Sequence, residues 1–155
     1  RSAGYIALWC GIANGAEQIL IPEKFDNNYD KLIEEIKNNR ASGMTHQIIV
    51  NAEGIGHSYG LAKKIEEATG IETRATILGH LQRGGSPTAR DRVYASVMGA
   101  YAIDCIEKGK KNRLIGYKEG HVYDVDIEEA FQMTKSIDDY EYEVAGILGT
   151  RCEYK

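Results

Sequence analysis

The sequence predicts an α/β fold with a largely parallel sheet. Short apolar runs alternate along the chain with amphipathic patterns at helical spacing. The first two apolar runs are Gln18–Ile21 and His46–Asn51, and a helical pattern follows each of them. This alternation is typical of strand–helix–strand units, whose crossover helices make neighbouring strands parallel. Ligands are then expected beyond the carboxyl ends of the strands.

Four helices are predicted from apolar residues at helical spacing and from their end signals. The first ends at Asn14–Gly15, a typical left-handed stop. The last is long, with Ser86 as its N-cap and Pro87 in its first turn. The four helices cover residues 3–13, 28–39, 58–69 and 87–108. The apolar stripe of the first helix consists of Ile6, Trp9, Cys10 and Ala13, and that of the last helix consists of Val93, Val97, Ala100 and Ile103.

Three further strands and one short helix are predicted from shorter signals. Thr73–Leu78 has the composition of a third strand, with Arg74 on the face opposite Ala75 and Ile77. Arg113–Tyr117 and His121–Val125 pair as a hairpin around Glu119-Gly120, and Asp126 begins a short helix that runs to Phe131. Residues 133–155 give no clear pattern.

Composition excludes several classes of protein. The 155 residues are 43% hydrophobic and 27% charged, which indicates a globular, soluble chain. A net charge of −4 argues against a nucleic-acid surface, and no apolar run is long enough to span a membrane. Cys10, Cys105 and Cys152 are far apart, which predicts reduced thiols in the cytoplasm, with Cys10 and Cys105 in the core. No signal peptide and no initiating Met are present, so we expect an internal or C-terminal segment of a longer protein.

The segment Leu78–Pro87 carries the densest group of candidate binding residues. His80 and Arg83 can donate to an anion, and two adjacent glycines allow backbone N–H groups to approach it closely. A helix that begins here adds the positive end of its dipole. The segment is therefore either a pocket for a small phosphorylated metabolite or an ordinary strand-to-helix turn with Arg83 in solvent.

Glu53 and Arg74 are the other candidates. Glu53 follows a buried strand, where a carboxylate either accepts hydrogen bonds from sugar hydroxyls or is simply solvated. Arg74 lies inside an apolar run and either pairs with an acid, touches a partner subunit or binds an anion. There is no Walker A loop, nucleophile elbow or metal-ligand cluster in the sequence. The residues by themselves indicate part of a sugar-phosphate or nucleotide site.

The run Glu72–Pro87 closely resembles the corresponding stretch of the bacterial 6-phosphofructokinases. The resemblance continues through most of the chain, in Arg1-Ser2-Ala3-Gly4, Gly15-Ala16-Glu17, Ile21-Pro22-Glu23, Ala52-Glu53-Gly54 and Asp91-Arg92. It implies a two-lobe, three-layer α/β sandwich of which the N-terminal half is missing. Residues 1–81 with 132–155 would form the sugar-phosphate lobe, and residues 82–131 part of the ATP lobe.

That family transfers the γ-phosphoryl group of ATP to the 1-hydroxyl of fructose 6-phosphate in glycolysis. The resemblance implies that Arg1 lies at the substrate and near the transferring phosphoryl group, and that Arg74 reaches the 6-phosphate across a subunit interface of a homotetramer. ATP, Mg²⁺ and the catalytic base would be held mainly in the missing half, so the chain is expected to be inactive alone. The implied contacts to fructose 6-phosphate are Arg1, Glu53, Arg74, His80, Leu81, Gln82 and Arg83.

The resemblance also implies a nucleotide effector site at Gly15, Ala16, Glu17 and His46, with Glu17 helping to hold magnesium. The family has lysines shortly before the strand histidine, whereas this chain has Ser42-Gly43-Met44-Thr45 before His46. Weak control by ADP or phosphoenolpyruvate is therefore expected.

Two alternatives stay open. One is a pyrophosphate-dependent phosphofructokinase, because the residues that separate the two donors lie mainly in the missing half. The other is a non-catalytic subunit that binds a sugar phosphate. The run Gly79–Arg83 favours the ATP-dependent type.

Overall fold

A computed structural model describes residues 2–134 and 136–149. They divide into two compact units, one formed by residues 2–77 and 136–149 and the other by residues 78–134. The division into lobes 1–81 with 132–155 and 82–131 stays a prediction. In chain order the elements are α1 (Tyr5–Asn14), β1 (Gln18–Leu20), α2 (Tyr29–Ala41), β2 (Ile49–Asn51), α3 (Ser58–Thr69), a 3₁₀ helix (Gly79–Arg83), α4 (Ala89–Glu107), β3 (Arg113–Lys118), β4 (His121–Asp126), α5 (Ile127–Gln132) and α6 (Asp139–Gly149).

The first unit is built around a short parallel pair of strands. β1 and β2 run parallel, with Gln18 opposite Ile49 and Leu20 opposite Asn51. Successive side chains of a strand point to opposite faces, so Ile19 and Leu20 enter different apolar clusters. The Ile19 cluster includes residues of α1 and α6, and the Leu20 cluster includes residues of α2 and α3. These three layers confirm the predicted α/β sandwich.

The predicted apolar stripe of α1 is wrong. Leu8 and Gly11 are the buried residues of this helix, whereas Trp9 is 62% exposed and Ile6, Cys10 and Ala13 also face solvent. The reason is close approach to the strand: a Cβ at Gly11 would overlap the Ile19 side chain. The spacing of apolar residues cannot reveal this face, because the contact is made at a glycine, which has no side chain. The predicted end of the helix is confirmed, because Gly15 is left-handed at φ 63°.

The predicted strand Thr73–Leu78 is also wrong. Residues 70–78 have no regular secondary structure, and β2 covers only Ile49–Asn51 of the predicted run from His46. A strand is stable only when its backbone groups pair with a neighbour. Among the described residues, the structure provides no strand that pairs with residues 73–78.

The second unit is α4 packed on an antiparallel hairpin. β3 and β4 pair from Arg113 opposite Asp126 to Lys118 opposite His121, which confirms the predicted hairpin. Glu119 and Gly120 have φ 51° and 86°, as a type I′ turn requires. In the described residues, no helix is both long and apolar enough to cross a membrane.

The predicted start of α4 is displaced. The N-cap is Thr88 rather than Ser86, and Pro87 lies before the helix. The Asp91 N–H donates to Thr88 Oγ1, and the Thr88 N–H donates to Asp91 Oδ2 at 2.7 Å. This reciprocal pair satisfies two backbone donors at the helix end, so it sets the start. The Thr88 hydrogen bonds also lower the pKa of Asp91.

The apolar stripe predicted for α4 is not the face through which this helix packs. Val93, Val97, Ala100 and Ile103 are exposed, whereas Tyr94, Tyr101 and Cys105 face the hairpin side. The Tyr94 ring stacks on the Tyr117 ring with centroids 4.4 Å apart. α4 packs through the face with Tyr94, Tyr101 and Cys105 because aromatic and polar side chains of the hairpin contact it. Burial of Cys105 is confirmed, burial of Cys10 is wrong, and Cys152 lies outside the described residues.

Asp124 connects α4, β3 and the loop between them. Its side chain is 5% exposed and accepts from the Tyr101 hydroxyl at 2.9 Å, Lys110 Nζ at 2.8 Å and Arg113 Nε at 2.6 Å. Hydrogen bonds from Lys110 and Tyr101 hold the pKa of Asp124 far below its ordinary value. A charge with three donors around it fixes the helix against the hairpin.

Asp124→Asn should lower the melting temperature of the chain at pH 7, because it removes the charge that these three donors share. The folded pKa is depressed, so the stabilisation is complete above the unfolded pKa of about 4 and is lost as the pH falls below it. The melting-temperature difference between wild type and variant should therefore shrink between pH 5 and pH 3, values chosen to span that pKa of about 4. Circular dichroism melts measure it.

Asp104→Asn is the matched control, since Asp104 is exposed on the same helix. If both variants shift the melting temperature equally, or if the Asp124→Asn difference is independent of pH, the Asp124 carboxylate does not fix α4 against the hairpin.

Gly11→Ala should destabilise the chain, because the added Cβ meets the Ile19 side chain. Overpacking of this kind costs about 1–3 kcal/mol. Gly60→Ala in α3 is the control: a Cβ there meets nothing within 4 Å, and a helical glycine replaced by alanine gains about 0.5–1 kcal/mol. Urea unfolding of both variants should give free-energy changes of opposite sign, and a stabilising Gly11→Ala would show that α1 does not pack through this glycine.

Candidate functional site

Glu53 lies just beyond the carboxyl end of the parallel pair. The Ala52 N–H donates to Leu20 O at 2.9 Å, and the Ile55 N–H donates to Ala52 O at 3.0 Å. These bonds close a turn directly after β2 and leave the Glu53 side chain exposed. A carboxylate at this edge of the sheet can accept hydrogen bonds from the hydroxyls of a ligand.

The short 3₁₀ helix presents His80 and Arg83 together. A 3₁₀ helix has three residues per turn, so residues three apart lie on the same face. His80, Leu81, Gln82 and Arg83 are all exposed. Gly79 and Gly85 flank them with φ 53° and 103°, conformations that favour glycine. An imidazole and a guanidinium on one face suit an anion such as a phosphate.

A capping box occupies the N-terminus of α4, where the sequence predicts an anion site. The helix begins several residues after Arg83, and the N–H groups of Thr88 and Asp91 donate to the Asp91 carboxylate and the Thr88 hydroxyl. A second anion at this end would meet the negative charge of Asp91. Binding of an anion in this segment would therefore rest on His80, Arg83 and the glycine backbone.

Arg74 forms an ion pair within its own segment. Its Nε and Nη2 donate to Glu72 Oε1 at 2.8 and 2.5 Å, and the Arg74 side chain is 85% exposed. An exposed pair of this kind contributes about 0–1 kcal/mol, so it can be exchanged readily for another anion. A contact from Arg74 to a partner subunit stays a prediction.

The predicted substrate contacts are divided between the two units. Glu53 and Arg74 belong to the first, and His80, Leu81, Gln82 and Arg83 to the second. Arg1 lies outside the described residues.

The predicted effector residues lie at the opposite end of the parallel pair from Glu53. Gly15 ends α1, and Ala16 is buried, with its N–H donating to Gly11 O at 2.9 Å. Glu17 Oε2 accepts from the Ile48 N–H at 2.6 Å, just before β2. His46 precedes this contact by two residues, and its Nδ1 lies 3.3 Å from Thr45 Oγ1. Glu17 and His46 thus share the amino end of the sheet.

The described residues do not form a metal centre around Glu17. No group of three or more His, Cys, Asp or Glu side chains comes together in the described ranges. One Glu17 oxygen already accepts the Ile48 N–H. Mg²⁺ requires octahedral oxygen ligands, often with phosphates supplying several of them. Glu17 alone does not provide such a set.

The first unit also contains a cavity that no sequence signal indicated. Its volume is about 280 Å³. The lining comes from three separate stretches of chain, which is why spacing could not reveal it: Ile36 and Arg40, Met44 to Gln47 with Ile49, and Ile65 with Ile71 to Arg74.

A family model described as phosphofructokinase matches residues 1–106. ATP-dependent 6-phosphofructokinase 1 of Clostridium perfringens is 54% identical over 149 residues, which is 96% of this chain and 46% of the relative. An ATP-dependent 6-phosphofructokinase of Clostridium botulinum, strain Loch Maree, is 49% identical over 148 residues, with the same coverage. The chain spans about half the length of the curated relatives that it matches.

Solved structures give the same similarity. Pichia pastoris phosphofructokinase in the T-state superposes with a TM-score of 0.75 at 29% identity, over 96% of this chain and 17% of that one. Saccharomyces cerevisiae phosphofructokinase superposes with a TM-score of 0.73 at 31% identity, over 96% of this chain and 22% of that one.

Proposed function

Because the chain belongs to the phosphofructokinase family, we propose that it is the substrate-binding part of an ATP-dependent 6-phosphofructokinase. The observation that carries the proposal is the 54% identity, over 96% of the chain, to a relative of that name. The position of Glu53 beyond the strand end and the shared face of His80 and Arg83 support it. The reaction would transfer the γ-phosphoryl group of ATP to the 1-hydroxyl of fructose 6-phosphate.

The side chains of this chain would position the sugar phosphate. Glu53 would accept hydrogen bonds from sugar hydroxyls, and His80 and Arg83 would donate to the 6-phosphate, beside Leu81 and Gln82. Phosphoryl transfer depends mostly on positioning and on compensating charge, so such contacts contribute directly to rate. The doubly charged phosphate favours the planar guanidinium fork of Arg83.

Two further arginines would contact the substrate, one of them in a neighbouring subunit. Arg1 would lie at the substrate near the transferring phosphoryl group. Arg74 would exchange its pair with Glu72 for the 6-phosphate in a neighbouring subunit, which requires an oligomer, here proposed as a homotetramer. The 85% exposure of the Arg74 side chain supports its availability to a second chain.

ATP and Mg²⁺ would be held mainly by residues outside this chain, and Mg²⁺ would neutralise charge on the transferring phosphates. Relatives are about twice as long, which leaves room for those residues. Glu17 and His46 would belong to an effector site in which Ser42 and Met44 cannot bind phosphate as lysines would. A cytoplasmic location fits a glycolytic enzyme.

The names of the relatives favour ATP over pyrophosphate as donor.

The 155-residue chain alone should not phosphorylate fructose 6-phosphate. A chimera in which this chain replaces the matching 149 residues of the Clostridium perfringens relative should phosphorylate fructose 6-phosphate. A coupled assay for fructose 1,6-bisphosphate, run with ATP and then with pyrophosphate, identifies the donor. A folded chimera that is inactive with both donors would leave only the non-catalytic role, and turnover by the isolated chain would contradict its assignment as the substrate-binding part.

In the same chimera, Arg83→Ala should raise the KM for fructose 6-phosphate by about 10- to 150-fold, because a charge-assisted contact is worth about 1.5–3 kcal/mol. Arg90→Ala is the control: Arg90 lies in the same unit, with its guanidinium 5.8 Å from the Tyr94 ring centroid. Steady-state kinetics with varied fructose 6-phosphate measures both. Equal KM values for Arg83→Ala and wild type would remove Arg83 from the substrate site.

A further inference from the structure

The cavity of the first unit has an apolar floor. Four isoleucines line it, from α2, β2, α3 and the segment after α3: Ile36, Ile49, Ile65 and Ile71. Ile36 and Ile65 are almost fully buried. A volume of about 280 Å³ is just below the usual range for ligand pockets, so an occupant has to be small.

The walls of the cavity are held in place by hydrogen bonds. Gln47 Nε2 donates to Ile36 O at 3.1 Å, and Asn39 Nδ2 donates to Gln47 Oε1 at 3.0 Å. On the other side, the Ile71 N–H donates to Thr69 Oγ1 at 3.1 Å, and Thr73 Oγ1 donates to Ile71 O at 2.9 Å. These bonds tie both walls to the ends of α2 and α3, so the cavity is preformed.

The rim of the cavity carries a surplus of positive charge. Arg40 and Arg74 are cationic and Glu72 is anionic, which leaves one positive charge among these three side chains. Glu72 already pairs with Arg74, so Arg40 is the cation without a carboxylate partner among the described residues. Its Nη1 donates to Met44 O and Thr45 O at 3.3 and 3.4 Å, and these bonds hold the guanidinium at the rim. Its Nε and Nη2 have no hydrogen bond within the described residues.

We propose that this cavity binds a small amphipathic monoanion, a carboxylate with an apolar chain or ring. The carboxylate would accept from the Arg40 guanidinium, and the apolar body would lie mainly on Ile49 and Ile71, the two less buried of the four isoleucines. A polyphosphate does not fit, because one surplus charge cannot balance it and Met44 and Thr45 add no cation to the rim. The groups that would hold the ligand, Arg40 and the isoleucines, are distinct from Glu53, His80 and Arg83, whereas Arg74 and His46 on the rim also belong to the proposed substrate and effector sites.

Isothermal titration of the full 155-residue chain with hexanoate tests the proposal. Acetate keeps the head group without the apolar body, and 1-hexanol keeps the body without the charge. Hexanoate should bind at least tenfold more tightly than either. Inorganic phosphate and ADP should bind at this cavity more weakly than hexanoate, as judged by the part of their binding that Arg40→Gln removes. No hexanoate binding, or phosphate or ADP binding that is tighter than that of hexanoate and is lost in Arg40→Gln, would overturn the proposal.

Two matched pairs of variants locate the ligand. Arg40→Gln should weaken hexanoate binding at least tenfold, while Lys37→Gln, an equal change of charge on an exposed residue of the same helix, should leave it unchanged. Met44→Glu should abolish binding by adding a carboxylate at the rim, and Met44→Gln should retain it. Melting temperatures confirm that each variant is folded. Unchanged hexanoate affinity in both Arg40→Gln and Met44→Glu would place the anion elsewhere and refute the site.

Discussion

The parallel pairing of Gln18–Leu20 with Ile49–Asn51 organises the whole first unit. Only three residues from each strand take part, yet the alternation of Ile19 and Leu20 sends one side chain into each apolar cluster. Helices can therefore cover both faces of the pair. The same pairing gives the unit two distinct ends, with Glu53 beyond the carboxyl end and Glu17 and His46 at the amino end. The polarity of the strands therefore keeps the two groups of candidate residues at opposite ends of this unit.

The second unit depends on polar and aromatic contacts more than on apolar burial. Cys105 and Val125 are its buried hydrophobic residues, and Asp124 joins the hairpin to α4 through Tyr101 and Lys110. A face of α4 that includes Val93 and Val97 is left in solvent, and large exposed apolar surfaces usually mark contact sites. In relatives of about twice this length, further chain is available to cover such a face.

The chemistry of the candidate sites follows from how each cation is held. Arg83 and His80 have no side-chain hydrogen bond among the described residues and share one face of the 3₁₀ helix, so both side chains are available to bind an anion. Arg74 is exposed and forms an ion pair with Glu72. Arg40 donates to backbone carbonyls at the rim of the cavity that the isoleucines line. The first arrangement would hold the proposed sugar phosphate, and the last would hold the proposed anion with an apolar body. The surroundings of each arginine, more than its charge, would then distinguish the two ligands.

Local signals in the sequence determined the elements that depend on neighbouring residues. The hairpin around Glu119-Gly120, the stop at Gly15 and the layered α/β class follow from turn chemistry and hydrophobic period, which act over a few residues. The candidates Glu53, His80 and Arg83 were also visible, because they belong to short motifs beside predicted strand ends.

Tertiary structure alone decided which helix faces are packed, where α4 begins and whether residues 73–78 form a strand. Gly11 rather than Trp9 faces the sheet because a backbone had to approach Ile19 closely, and the Asp124 side chain is enclosed because three donors from separate segments surround it. The cavity beneath Arg40 likewise needs three distant stretches to meet. Contacts between residues far apart in the chain leave no period or spacing in the sequence, so only the folded chain could determine them.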